Sequence, residues 1–455
     1  MLTLCHWIYI LVVLAVILAM ILRRDVVMIC LIGTFLIGFI YTGSIITGLQ
    51  ALFHSLMTGG TEIFDVMLII AIMVAMLKSL EVMGADKIML SPVRRFMTTP
   101  TTTFFTLGLA MYVAALFFWP TPATALVGAV LIPVAIEAGL PAMYAAMAVN
   151  IFGHGMGLSG DLVLQGAPQL AAKSAGVDVA LVLTKGALLS IISGVVAIII
   201  AYIMMRKSLG KNPLVTNKGN KAQYAKADKG ENPLARAFGR IVPFILLVVI
   251  VIMVVNKIKG GDATALLGGI GGAILIAATI AVEKNKSLER IVDHLREGFT
   301  FAIKIFAPVI PIAGFFFLGG SESAMILGEG APQLLFDIGE TVARILPLNK
   351  IALGFGNMII GVITGLDGSG FSGIPLVGGL ARALGGPVGA HVPTLAAIGQ
   401  VGAVWSGGGT IVAWCFGLAA TAGVAGVSPL ELARKNFIPV MAGLVVATIV
   451  GIIIM

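Results

Sequence analysis

The sequence Asn150-Ile-Phe-Gly-His-Gly-Met-Gly-Leu-Ser-Gly-Asp-Leu-Val-Leu-Gln-Gly-Ala-Pro168 lies between two strongly apolar runs, yet it combines polar side chains with several glycines. A helix that faces lipid does not tolerate this mixture, because each unpaired polar group in hydrocarbon costs several kcal/mol. The stretch therefore predicts a broken transmembrane helix at a binding site. A second stretch of this kind, Gly399-Gln-Val-Gly-Ala-Val-Trp-Ser-Gly-Gly-Gly-Thr410, lies in the other half of the chain.

The bulk composition fixes the class of protein. Of 455 residues, 59% are hydrophobic and only 11% are charged, whereas soluble globular proteins carry roughly 25% charged residues. The sequence therefore predicts an all-α polytopic membrane protein. The net charge of +8 does not indicate a nucleic-acid partner, because basic residues beside transmembrane helices set topology and contact lipid headgroups. No cofactor is expected, since Cys5, Cys30 and Cys415 lie in apolar runs without metal-ligand spacing.

The order of apolar segments predicts two repeats, residues 1–205 and 241–455, joined by a basic cytoplasmic linker at 206–240. Each repeat has two spans, an interfacial helix, a third span, an interrupted segment and a broken helix. The interfacial helices are expected at 45–57 and 288–299, and residues 49–59 align with 288–298 without a gap. In the first repeat, residues 1–60 are expected to form a scaffold and 61–205 the transport elements. Residues 332–346 fit either a span or a helix along the membrane surface.

Basic residues cluster at 23–24, at 87–95 and in the 206–240 linker, and these clusters test the relative orientation of the two repeats. All of them can be cytoplasmic if the N-terminus is outside the cell. Counting spans from there places the two interfacial helices on opposite sides, so the repeats are inverted. Many secondary transporters use inverted repeats for alternating access.

Polar residues at the interruptions are the candidate substrate ligands. Helix N-termini at the breaks offer unpaired N–H groups and a positive dipole end, which suit a carboxylate. Hydroxyl and amide side chains and close backbone approach at glycine add further contacts. The candidates are Thr121, Thr124, Asn150, Gly157, Ser159, Gln165, Ser369, Ser372, Gln400, Ser406 and Gly407. The alternative for each hydroxyl is that it satisfies a helix end or a helix–helix contact.

Asp161 and Asp367 are the candidate coupling-ion ligands, one from each half. A carboxylate inside the membrane is costly and is a functional hypothesis by default. The pair could bind Na⁺ with free carbonyl groups, or carry a proton. The alternative is that each Asp caps a helix N-terminus. His154 could relay protons, since its unperturbed pKa is about 6.5, although the sequence favours a structural histidine whose hydrogen bonds are satisfied.

With an interfacial helix, a hairpin and a broken helix occurring twice, the chain resembles the ion transporter superfamily, which includes gluconate, citrate, lactate and dicarboxylate permeases and Na⁺/H⁺ antiporters. The resemblance implies a bacterial inner-membrane protein, frequently a homodimer, with substrate between two hairpin tips and two helix breaks. On this sequence the tips are residues 120–125 and 367–372, and the breaks are 153–161 and 399–409. The tips lack the Ser-Asn-Thr sequence of the sodium–dicarboxylate members.

These observations favour a Na⁺- or H⁺-coupled symporter of a small organic anion, most simply a carboxylate. A Na⁺/H⁺ antiporter on the same scaffold is the alternative. An enzyme is not expected, because the sequence has no His-Glu-x-x-His motif and no Gly-x-Ser-x-Gly motif. Ser159, His154 and Asp161 lie too close in sequence for a triad, whose members normally come from separate elements.

Overall fold

The computed structural model describes residues 2–22, 24–211, 233–256, 258, 261–345, 349–413 and 415–455, and their regular secondary structure is helical throughout. In the first half the helices are α1 Leu4–Ile21, α2 Val27–Thr42, α3 Ile45–Met83, α4 Ala85–Arg94, α5 Pro100–Phe118, α6 Pro120–Ala123, α7 Ala129–Glu137, α8 Ala142–Val149, α9 Leu158–Gly160, α10 Gly166–Ala175 and α11 Val179–Lys211. Wider π-helical turns occupy Thr124–Gly128 and Asn150–Gly157.

The second half follows the same order. Its helices are α12 Pro233–Val255, α13 Gly261–Glu283, α14 Ser287–Phe306, α15 Val309–Phe317, α16 Ser323–Leu327, α17 Leu334–Ile345, α18 Lys350–Thr364, α19 Ile374–Leu380, α20 Val392–Trp405, α21 Phe416–Ala425 and α22 Pro429–Ile453. Two π-helical segments, Ala381–Gly385 and Ser406–Thr410, and two 3₁₀ turns, Lys284–Lys286 and Gly365–Asp367, complete it.

Six of the described helices are long and apolar enough to cross a membrane, or up to seven if one bent pair counts as a single span. The prediction of an all-α polytopic membrane protein is therefore confirmed. Helix α17, where the sequence left two possibilities open, has 12 residues, fewer than the roughly 20 that a span requires. The ends of the predicted 206–240 linker are helical, and residues 212–232 lie outside the described residues.

Helix α3 differs from its prediction. The sequence suggested an interfacial helix at 45–57 and a separate span from 61, but one helix of 39 residues runs from Ile45 to Met83. It also passes through the expected boundary between scaffold and transport elements at residues 60 and 61. The glycines there do not end the helix, because Gly59 is buried against α15, and a Cβ at Gly59 would lie 2.9 Å from the backbone nitrogen of Gly314. Helix packing thus outweighs the low helix propensity of glycine.

Helix α3 crosses α14 and α15 through two contacts that are equivalent, because each residue of one contact has its counterpart from the other half in the second contact. Gly59 packs on Ile310 and Gly314, and Gly298 packs on the residues at the matching positions of α3, Ala71 and Ala75. A constant spacing of 239 residues relates these pairs. Reciprocal contacts of this kind are the signature of a twofold relation.

In the later elements of the two halves, a different constant number of residues separates equivalent positions. Gly139 and Gly389 both have left-handed backbone, with φ of 89° and 69°, and each follows the helix end before the broken helix. Gly176 and Gly426, with φ of 62° and 66°, end α10 and α21. Each pair is 250 residues apart.

The residues after these C-terminal glycines show the same cap. Val177 donates its N–H to the carbonyl of Ala172 at 3.0 Å, and Val427 donates to Ala422 at 3.0 Å. The capped ends are thus equivalent at a spacing of 250 residues.

The crossing at Gly298 predicts a large effect of one methyl group. Gly298→Ala places Cβ against the Ala71 carbonyl oxygen, and such overpacking costs about 1–3 kcal/mol. Thermal unfolding in detergent should show a lower melting temperature. Gly272→Ala is the control, because a Cβ there meets nothing within 4 Å; equal melting temperatures of the two variants would contradict the close contact.

Candidate functional site

Both broken helices remain helical further than the sequence predicted. The first continues through Gly160 and breaks at Asp161, which has φ of 37°, before α10 begins at Gly166. The second departs from helical geometry at Gly409, with φ of 134°, and α21 begins at Phe416. The expected breaks at 153–161 and 399–409 are thus displaced toward the C-terminus. The glycines before each break stay in π-helical turns, whose backbone groups remain hydrogen-bonded as membrane burial requires.

The two breaks pack directly on each other. The Trp405 indole lies against Gly155, where a Cβ would sit 2.7 Å from Trp405 Cε3. The His154 ring lies against Gly409 and Gly417, and a Cβ at Gly409 would be 2.7 Å from His154 Cδ2. The glycines therefore provide room for two large buried side chains at the crossing point.

A polar contact also joins the breaks. Gln400 Nε2 donates to the carbonyl oxygen of Ser159 at 2.8 Å. The Ser159 hydroxyl lies 2.6 Å from that of Ser190, which donates to the Met156 carbonyl at 2.8 Å. Ser159 is thus a structural link between α9, α11 and α20.

Several buried polar atoms of the two broken helices have no hydrogen-bond partner among the described residues. They are both amide atoms of Asn150, both ring nitrogens of His154, Oε1 of Gln400 and Nε1 of Trp405. All four residues are 0% exposed. Buried polar groups in native proteins normally have a partner, so such a group requires an explanation. Asn150 and Gln400 are also 250 residues apart, so each broken helix contributes one amide at the equivalent position.

The second hairpin tip closes on the second break. A Cβ at Gly407 would lie 2.6 Å from the backbone nitrogen of Gly370. The Ser369 hydroxyl accepts the N–H groups of Phe371 and Ser372, both at 3.1 Å, and so orders the tip. The Ser406 hydroxyl donates to the Val362 carbonyl at 2.8 Å.

The two hairpins meet through aromatic rings. Trp119, which directly precedes the first tip, and Phe371 of the second tip have ring centroids 5.1 Å apart, and Phe306 packs on both. Next to Trp119, the Thr124 hydroxyl donates to the Pro120 carbonyl at 2.8 Å. The sequence did not indicate this aromatic cluster.

Each hairpin also packs on the helix that follows the break of the other half. A Cβ at Gly128 would lie 3.2 Å from Val424 on α21, and one at Gly378 would lie 2.9 Å from Ser174 on α10. The two contacts are equivalent, because Gly378 lies 250 residues after Gly128 and Val424 lies 250 residues after Ser174. Hairpins and breaks of both halves therefore form one assembly, in which Thr121 is half-buried.

Asp161 caps the helix after the first break. Its carboxylate accepts the backbone N–H of Gln165 at 3.1 Å and that of Ala167 at 3.0 Å. The sequence predicted an anion at this N-terminus, but Asp161 already occupies it, and its charge opposes a second anion there. The side chain of Asp367 lies outside the described residues.

A sodium site at Asp161 would need neutral oxygen ligands. Among the described residues no three His, Cys, Asp or Glu side chains group together as metal ligands do. Carbonyl oxygens at the break are the donors that remain, and Na⁺ sites in broken-helix transporters are built from such carbonyls.

Two buried amides were missed by the sequence analysis. Asn436 of α22 donates to the Thr410 carbonyl at 2.9 Å and so satisfies the end of the second break. Asn357 of α18 donates to the carbonyls of Val377 and Leu395 at 3.2 and 2.8 Å. Asn357 interrupts the apolar run 351–363 of α18, and that pattern was the available signal, whereas Asn436 directly follows Arg434 and Lys435 and gives no such signal.

The cap at Asp161 leads to a stability prediction. Asp161→Ala leaves the buried N–H group of Ala167 without an acceptor, which costs about 1–3 kcal/mol, whereas Gln165 keeps its hydrogen bond to the backbone carbonyl of residue 161. Asp178→Ala removes an exposed carboxylate that accepts from Ala180 at 2.7 Å, and an exposed cap costs about 1 kcal/mol. Thermal unfolding should therefore show the larger drop for Asp161→Ala; the reverse order would contradict the buried cap.

One relative is similar over nearly the whole chain. No protein-family model matches the sequence. The chain is 38% identical over 461 residues to the uncharacterized membrane protein YhfA of Bacillus subtilis (strain 168), with 99% of this chain and 98% of that protein covered. Identity of this extent shows common membership, and the chain belongs to the same family of membrane proteins as Bacillus subtilis YhfA.

Proposed function

We propose that this protein is a secondary active transporter that couples Na⁺ or H⁺ to the symport of a small organic anion, most simply a carboxylate. The observation that carries the proposal is the crossing of two broken helices, each with a buried amide, Asn150 or Gln400, that has unpartnered polar atoms among the described residues. A polar ligand at the crossing supplies the partners that these atoms lack.

The donors at the crossing favour an anion. The Asn150 amide N–H, the Trp405 indole N–H and one ring N–H of His154 are donors without a partner among the described residues, whereas the Gln400 amide N–H already donates to Ser159. Hydrogen bonds to a charged acceptor contribute about 1.5–3 kcal/mol, more than those between neutral groups. The carboxylate of the substrate is thus recognised by side-chain donors, while the N-terminus of α10 is held by Asp161.

The reciprocal contacts between the halves support alternating access. Inverted repeats can exchange conformations, so that the site opens to either side of the membrane by the same motion in opposite directions. The contacts of Gly59 and Gly298, and of Gly128 and Gly378, repeat when the halves are exchanged. In this arrangement the N-terminus lies outside the cell and the linker inside.

A Na⁺/H⁺ antiporter is the second candidate, and Asp161 favours it. Its carboxylate is 3% exposed beside a helix break, and an intramembrane carboxylate can bind a proton or Na⁺ in turn. An antiporter needs no organic substrate.

Ligand-dependent thermal unfolding distinguishes the two functions. The purified protein is melted with a panel of small carboxylates, in NaCl and in choline chloride, at two pH values. A ligand stabilises the state it binds, by about 2.7 kcal/mol at a hundredfold excess over Kd. A shift that needs both one carboxylate and Na⁺ is expected for Na⁺ symport, and one that strengthens at low pH without Na⁺ for H⁺ symport. Stabilisation by Na⁺ alone at high pH, with no carboxylate effect, would favour the antiporter.

The amide at residue 150 gives a sharper test of the site. Asn150→Leu removes a buried amide that has no hydrogen bond among the described residues, so the melting temperature without ligand should stay the same or rise. Carboxylate binding should weaken about tenfold or more, because a hydrogen bond to the charged ligand is lost.

Asn357→Leu is the matched control. It is the same substitution at a buried amide that makes two hydrogen bonds to carbonyls, so it should lower the melting temperature. If Asn150→Leu destabilised the protein as Asn357→Leu does and left carboxylate binding intact, Asn150 would be a structural residue.

A further inference from the structure

An apolar groove of about 990 Å³ lies on the outer surface of the helix assembly, between α4, α5 and α12. Its lining is almost entirely aliphatic and aromatic, and Leu109 and Leu247 within it are each 58% exposed. In a membrane-spanning protein such a surface faces hydrocarbon. The groove is separate from the crossing of the two breaks.

A second recess of about 520 Å³ continues the groove at one end and shares Met89, Pro92 and Pro243 with it. This recess is polar, because Ser91, Arg236 and Arg240 contribute to its wall. Neither arginine has an ion-pair partner among the described residues. The combined space thus has one basic end and one apolar end.

The arrangement along α12 produces this polarity. Arg236, Arg240, Pro243 and Leu247 follow one another at intervals of three or four residues, so they share one face of the helix. At 1.5 Å per residue, the apolar part of this face begins one turn beyond the second arginine. The same step, from charged to apolar, separates the headgroup region of a bilayer from its hydrocarbon core.

Close packing of α4 on α12 forms the floor of the basic recess. Gly239 lies between the two arginines, and a Cβ there would be 2.7 Å from Ile88 Cβ and 2.9 Å from the Ala85 carbonyl oxygen. The absence of a side chain at Gly239 therefore brings the helices together and leaves the arginines on either side of the contact.

We propose that this groove binds one anionic phospholipid of the surrounding bilayer. The guanidinium groups of Arg236 and Arg240 hold its phosphate, and its acyl chains lie along α5 and α12. Guanidinium groups pair with phosphate through two parallel hydrogen bonds. Basic pockets between transmembrane helices bind anionic headgroups on the same grounds. A zwitterionic lipid would gain less, because its own positive charge opposes the arginines.

The test measures lipid binding to the full-length protein by native mass spectrometry and by thermal unfolding in neutral detergent. The probes are dioleoylphosphatidylglycerol and dioleoylphosphatidylcholine. Phosphatidylglycerol should bind better and raise the melting temperature more. Arg236→Gln/Arg240→Gln should weaken its binding about tenfold or more, without loss of fold, since both side chains are exposed.

The matched control is Arg206→Gln/Lys207→Gln, which removes the same charge from exposed positions on α11, a helix that contributes no residue to the lining of the groove or the recess. It should bind phosphatidylglycerol as the unmodified protein does. Leu247→Trp, which fills the groove but keeps both arginines, should reduce binding.

Three results would overturn the proposal. One is equal binding of the two lipids by the unmodified protein. Another is an equal loss in the two charge-removing double variants, which would indicate a general surface charge effect. The third is phosphatidylglycerol binding that appears only after residues 212–232 are replaced by a Gly-Ser spacer. That result would mean that this segment, and not a lipid, occupies the groove of the unmodified protein.

Discussion

The arrangement of this protein depends on the need to satisfy every backbone polar group at membrane depth. Each interrupted helix has a carbonyl end and an N–H end that require partners. Asp161 accepts the N–H groups after the first break, and Cys415 Sγ accepts from Leu418 after the second. Gln400 and Asn436 donate to carbonyls at the two helix ends. Polar side chains that the sequence suggested as ligands are therefore partly used in holding the breaks themselves.

The halves meet through small residues, because only these permit backbone to approach backbone in the absence of water. The reciprocal positions of Gly59 and Gly298 hold α3 against α14 and α15, and those of Gly128 and Gly378 hold each hairpin on the opposite half. A polar contact adds to this where Lys173 of α10 lies 3.3 Å from Glu62 of α3. The helix after the first break is thus tied to α3.

The sequence predicted the class of fold and the location of the interruptions because both follow from hydropathy. It placed the breaks several residues early, since glycine permits a break but does not impose one; the left-handed residues Asp161 and Gly409 mark the actual positions. It separated α3 into two helices for the same reason. The aromatic contact of Trp119 with Phe371 could not be predicted, because it joins residues far apart in the chain.

Among the candidate ligands, hydrogen bonding separates two groups that residue type alone could not. Thr124, Ser159 and Ser406 each have a partner within the protein, so their hydroxyls contribute to structure in this conformation. Asn150 and His154 have no partner among the described residues and are fully buried. Since an apolar side chain of similar size would cost less to bury than an unpaired amide, stability alone does not account for Asn150. The proposed binding of a polar ligand would account for it, and Gln400 occupies the equivalent position, 250 residues later, in the other broken helix.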